Sequence, residues 1–104
     1  MKETHEFQRV AAVADIPAET GRAIVIGKHE IALFNRGGSF HAISNMCPHR
    51  GAPLHEGFLD GERVICPWHC FDFNLHNGRC ETVPGLKVKI YEVKVEEGEV
   101  FVRC

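Results

Sequence analysis

The sequence predicts an all-β domain built as an antiparallel sandwich or barrel. Three observations lead there: short apolar runs punctuated by turn residues, two-residue alternation within several runs, and no segment with a sustained helical period. Phe7 to Val13 reads as the first strand, and Asp15-Ile16-Pro17 as a capped turn or a single helical turn. Residues 22–26 and 30–35 read as two strands joined by a tight turn at Gly27-Lys28-His29. Arg36-Gly37-Gly38 turns the chain into a strand over 39–44, in which Phe40 and Ala42 alternate with polar neighbours. Two short strands are expected over 63–66 and 70–75. The sequence His76-Asn77-Gly78-Arg79 centres on Asn-Gly, the dipeptide favoured where both turn positions need positive φ. In the C-terminal third, Leu86, Val88 and Ile90 alternate, then Tyr91, Val93 and Val95. The phase slips between Ile90 and Tyr91, which predicts a bulge or bend. Glu96-Glu97-Gly98 turns into a last strand over 99–102.

The chain has 104 residues, 44% of them hydrophobic, which fits a single globular domain over 1–104. The net charge is −2, with no basic stripe of the kind nucleic acid requires, and the densest charge cluster, Glu96, Glu97 and Glu99, is acidic. The N-terminus lacks an apolar stretch and no run approaches the ~18 apolar residues of a membrane span, so the expected location is the cytoplasm. Five cysteines fit a disulfide framework poorly, whereas five cysteines with seven histidines suggest a metal.

Spacing narrows the choice. Cys47 and His49 are one residue apart, Cys66 and His69 two, and sixteen residues separate the halves. Each half offers one thiolate and one imidazole from a loop, and the two loops can close on one centre. Zinc accepts a Cys₂His₂ set tetrahedrally, so spacing alone leaves a zinc-binding interaction module and an iron–sulfur site both open.

The flanking residues resemble one family. Cys47-Pro48-His49-Arg50-Gly51-Ala52-Pro53-Leu54 and Cys66-Pro67-Trp68-His69 are similar to the two-loop motif of Rieske 2Fe–2S proteins. Phe71-Asp72-Phe73-Asn74-Leu75, Asn77-Gly78 and the tail from Pro84 are similar to that family's later strands. The resemblance covers nearly the whole chain. It implies a β base with a cluster-binding subdomain of two loops, at about residues 45–84, and one 2Fe–2S cluster. It implies that Cys47 and Cys66 hold the buried iron and that His49 and His69 hold the iron nearer solvent. Such a chain would be a soluble ferredoxin, monomeric when isolated, taking single electrons from a flavin-dependent reductase to a terminal oxygenase. The alternative within the resemblance is the small subunit of an assimilatory NAD(P)H nitrite reductase. Protein and sulfide ligands would saturate both irons, so no catalysis is expected of this chain alone.

The resemblance also bears on the potential. Respiratory-chain relatives have an inter-loop disulfide where this chain has Ala52 and Trp68, and hydroxyls near the cluster where it has Phe71 and Phe73. Without donors to the sulfurs, the potential is expected near the low end of the class, about −150 to −100 mV. A ligand imidazole can couple the potential to protons at alkaline pH. Cys70 stands where relatives have glycine and is expected to be a small buried thiol. A Cys70–Cys80 pair is discounted, because the hairpin is expected to set Cys80 opposite Leu75. Cys104 is expected at the surface, as are His41, His55 and His76. Trp68 is expected to shield the cluster or to form part of a docking surface, Pro84 to stiffen a covering loop, and Met46 to pack inside.

Overall fold

The computed structural model describes residues 6–48, 51–68 and 71–104. Among the described residues nine strands run β1 (Gln8–Ala12), β2 (Thr20–Ile26), β3 (His29–Arg36), β4 (Ser39–Ser44), β5 (Phe58–Asp60), β6 (Arg63–Ile65), β7 (Asp72–Asn74), β8 (Ile90–Glu96) and β9 (Glu99–Arg103). Single 3-10 turns occupy Val13–Asp15 and Leu54–Glu56. Among the described residues there is no α-helix, and no helix long and apolar enough to cross a membrane.

Six strands form one antiparallel sheet in the order β1-β9-β8-β4-β3-β2. Every one of them contributes to a single apolar core: Ala11, Ile24 and Ile26, Ile31 and Leu33, Ala42, Val93, and Val100 with Val102. A sheet whose inner face closes on itself in this way is nearly a barrel. The buried Asn35 fastens its open side. Its Nδ2 donates to the Ile16 carbonyl (2.7 Å), and its Oδ1 accepts from Gly38 N–H (2.8 Å).

The strands β5-β6-β7 form a second, small antiparallel sheet. β3 explains how the two units share the molecule. Ile31, Ala32, Leu33 and Phe34 are all fully buried, so the strand has no solvent face. Ile31 and Leu33 point into the barrel. Ala32 and Phe34 point the other way, into a second core with Ile43, Leu54, Val64, Phe73 and Val88. A strand covered on both faces reads as a continuous apolar run rather than an alternation.

The turns differ from expectation in one informative place. At Asn77-Gly78 only Gly78 has positive φ (76°). Among the described residues, those with paired positive φ are Gly37-Gly38 and Glu97-Gly98, which close the β3–β4 and β8–β9 hairpins. The chain after β7 makes a longer turn instead. Gly78 N–H donates to the Asn74 carbonyl (2.8 Å) and Asn74 N–H to the Arg79 carbonyl (2.9 Å). Leu75 is drawn into the turn because its side chain is buried and its N–H bonds the Glu62 carbonyl (2.8 Å). Cys80 therefore lies opposite Phe73, not Leu75. The expected phase slip is a change of core: Leu86 and Val88 face the small-sheet core, Tyr91 and Val93 the barrel, and Ile90 between them is half-exposed.

Candidate metal centre

The two cysteine loops are built alike. Cys47 follows β4, and its N–H donates to the carbonyl of Ala52, five residues on (2.9 Å). Cys66 follows β6, and its N–H donates to the carbonyl of Phe71, also five residues on (2.7 Å). Each loop is thus a short closed finger with a cysteine at its base. Gly51, at φ 77°, turns the first finger back, and its N–H bonds the Cys47 carbonyl (2.7 Å). Both cysteines are 1% exposed and belong to the same apolar cluster, with Ala52, Leu54, Val64 and Phe73. Further along the fingers Pro48, Gly51 and Trp68 are exposed, while Pro67, next to Cys66, is half-buried. His49 and His69, and with them Arg50 and Cys70, lie outside the described residues.

Two buried polar residues hold the fingers, and neither was singled out from the sequence. Asn45 anchors the first: its N–H bonds the Glu30 carbonyl (2.9 Å), its carbonyl accepts from Leu54 N–H (2.7 Å), and its Oδ1 accepts from His55 N–H (2.7 Å). Asp72 anchors the second and ties it to a third loop over residues 80–86. Its carboxylate accepts from Arg63 (2.8 Å), from Thr82 N–H (2.9 Å) and from the Thr82 hydroxyl (2.6 Å). The Thr82 hydroxyl bond, chiefly, holds the Asp72 carboxyl below its ordinary pKa, backbone and Arg63 bonds assist, and burial opposes them. The sequence signal was present: a carboxylate between Phe71 and Phe73, in a strand whose neighbours must be buried.

The third loop lies against the cysteines through Val83 and Leu86, which pack on their cluster, while Pro84 itself is exposed. Cys80 is buried. Its Sγ accepts Val83 N–H (3.3 Å), and its S–H donates to the Asp72 carboxylate (3.8 Å). Other expectations need correction. Met46 is 57% exposed rather than packed inside, because its bridge to Pro53 sets its side chain outward at the base of the finger. Cys104 is half-buried against the barrel core. His41 is half-buried, its ring edge-on to His76 at 4.9 Å between centroids, and its Nε2 is enclosed without a hydrogen-bond partner among the described residues. Trp68, 57% exposed, faces solvent.

Two buried thiols at the bases of two loops, packed in one apolar cluster, are a fit donor set for the sulfur side of an iron–sulfur centre. That defines the class: an all-β chain whose barrel carries a small unit with two cysteine loops. Residues 6–95 match the Rieske [2Fe-2S] domain, and the chain belongs to that family, whose cofactor is one 2Fe–2S cluster. Family membership replaces the zinc alternative. The chain is 40% identical over 96 residues to human apoptosis-inducing factor 3, a match covering 91% of this chain and 16% of that protein. It is 39% identical over 93 residues to the 3-phenylpropionate/cinnamic acid dioxygenase ferredoxin subunit of Escherichia coli K12, covering 86% of each. Among solved structures, the ferredoxin of carbazole 1,9a-dioxygenase from Nocardioides aromaticivorans superposes with a TM-score of 0.86 at 30% identity, over 93% of this chain and 96% of that one. A chain described as an NADH-dependent nitrite reductase small subunit from Mycobacterium tuberculosis shares the fold, with a TM-score of 0.91 at 24% identity over 98% and 97%.

Proposed function

We propose that this chain is a low-potential electron carrier in which Cys47 and Cys66 hold the inner iron of the cluster and His49 and His69 the outer one. The observation that carries the assignment is the burial gradient along the two fingers: both cysteines are 1% exposed, yet Pro48, one residue after Cys47, and Trp68, two residues after Cys66, are exposed, with Pro67 half-buried between. When bound, the cluster takes up and releases one electron. The residues supply the rest. The buried cysteine bases keep water from the sulfur side, and the exposed Pro48, Gly51 and Trp68 leave the fingers open to the approach of a redox partner. Phe71 and Phe73 offer no hydroxyl to the sulfurs, and this absence raises the cost of the added electron. Arg63, Thr82 and Asp72 lock the third loop against the fingers and limit how far the site relaxes between oxidation states.

The partners we propose are a flavin-dependent reductase as donor and a terminal oxygenase as acceptor, in the cytoplasm. The 39% identity to a dioxygenase ferredoxin subunit, over 86% of both chains, supports this reading. The nitrite reductase small-subunit reading rests on a shared fold at 24% identity and is the weaker one. In this proposal the chain is a single domain with residues 45–84 as the cluster-binding unit.

Iron and acid-labile sulfide analysis with a redox titration tests the proposal. Equal iron and sulfide, a midpoint of about −150 to −100 mV, and loss of both elements in Cys66→Ser are expected. Zinc in place of iron would refute the ligand assignment, and a midpoint above zero the low-potential reading.

A further inference from the structure

The segment that follows the β7 turn carries two cations that electron transfer does not use. Arg79 and Lys87 sit directly opposite each other in an antiparallel bridge. The hydrogen bonds on either side run from Cys80 N–H to the Leu86 carbonyl (2.9 Å) and from Val88 N–H to the Gly78 carbonyl (2.8 Å). The Arg79 N–H is engaged elsewhere, with the Asn77 side chain (2.8 Å). Arg79 and Lys87 are therefore a non-hydrogen-bonded pair, the register that brings cross-strand side chains closest, on one face. Like charges in that register repel. Among the described residues neither side chain has a carboxylate partner, although the chain has 14 acidic residues.

The two side chains line a cavity of about 460 Å³ with Cys80, Pro84, Gly85 and Leu86. No acidic side chain is in that lining, and Pro84 and Leu86 give it an apolar wall. Two uncompensated cations over hydrocarbon are the elements of an anion site: the guanidinium presents paired donors to a planar carboxylate, and the ammonium adds charge from the other side.

We propose that the Arg79–Lys87 cavity binds a carboxylate. The same chemistry can come from a small organic acid or from an acidic side chain of a protein partner. Calorimetry on the cluster-loaded protein at low ionic strength, with benzoate and with acetyl-Glu-Glu-amide as probes, distinguishes them. One-to-one binding of either probe, weakened at least tenfold in Arg79→Gln and in Lys87→Gln, is the expected result. Preference for benzoate identifies a small acid, and preference for the peptide identifies a protein side chain. A second measurement is independent of either probe's affinity. Lys87→Glu supplies an internal carboxylate, so at low salt it should unfold at a higher temperature than the parent and bind neither probe. Failure of both probes to bind, binding unchanged in Arg79→Gln, or a lower unfolding temperature for Lys87→Glu would overturn the proposal.

Discussion

Asp72 is the residue on which the second and third loops depend together. It is the only buried carboxylate among the described residues, and it accepts from Arg63, from two donors of Thr82 and from the Cys80 thiol. Hydrogen bonds to a charged group contribute about 1.5–3 kcal/mol each, and here Asp72 is the buried member while Arg63 is half-buried and Thr82 exposed. Replacing Asp72 by Ala should therefore lower stability by about 2–3 kcal/mol, discounted for the partial exposure of Arg63. Thermal unfolding followed at the cluster's visible absorption checks this, and a change below 0.5 kcal/mol on the scale of neutral surface substitutions would refute it. The pH dependence has a definite sign. A carboxyl with a lowered folded-state pKa binds fewer protons folded than unfolded, so its contribution is present above the ordinary carboxyl range. That contribution is lost as pH falls from about 4. The loss of visible absorption below that pH should be steeper in the parent than in Asp72→Asn. Equal acid profiles would assign the loss to other groups.

At the level of elements, the turn after β7 decides which residues face the cysteines. Gly78 has φ 76°, and a Cβ there would fall 2.2 Å from the Val88 carbonyl oxygen. Gly78→Ala should cost at least about 1–3 kcal/mol from the left-handed backbone alone, with further cost from the overlap. A melting temperature within a degree of the parent would contradict this close approach. The same turn marks where local sequence stopped being informative. Asn-Gly was read as a two-residue turn from its local preference. Burial of Leu75, a tertiary fact, lengthened it and moved Cys80 opposite Phe73. Strand β5 was likewise invisible: Phe58 is 70% exposed, and three residues carry no alternation to read. By contrast β2, β3, β4 and β9 were legible, because their apolar faces line the barrel and turn residues bracket them.

Across the whole molecule, the family was the most legible feature. Cysteines and histidines at a two-loop spacing are chemistry written directly in residue identity, whereas Asn45 and Asp72 act through partners distant in sequence. The junction of barrel and small sheet carries a further titratable group. His41 on β4 meets His76 edge-on, His76 Nε2 pairs with Glu62 (2.5 Å), and Arg36 lies 3.9 Å from the same carboxylate. Burial, then the charges of His76 and Arg36, hold the His41 imidazole below its ordinary pKa, against the pull of Glu62. A base so shifted binds fewer protons folded than unfolded, so stability declines as pH falls from about 6.5. Unfolding temperatures at pH 7.5 and 5.5 should differ less in His41→Gln than in the parent. An unchanged difference would assign the pH dependence to groups other than His41.

In the function proposed above, the cluster is held by sulfur on its buried side and by nitrogen on its outer side. Pulsed electron–nuclear spectroscopy of the reduced protein, grown with ¹⁵N-histidine, reads that asymmetry directly. Two strongly coupled histidine nitrogens are predicted, with the signal altered in His49→Cys and in His69→Cys. A reduced cluster with no coupled histidine nitrogen would contradict it.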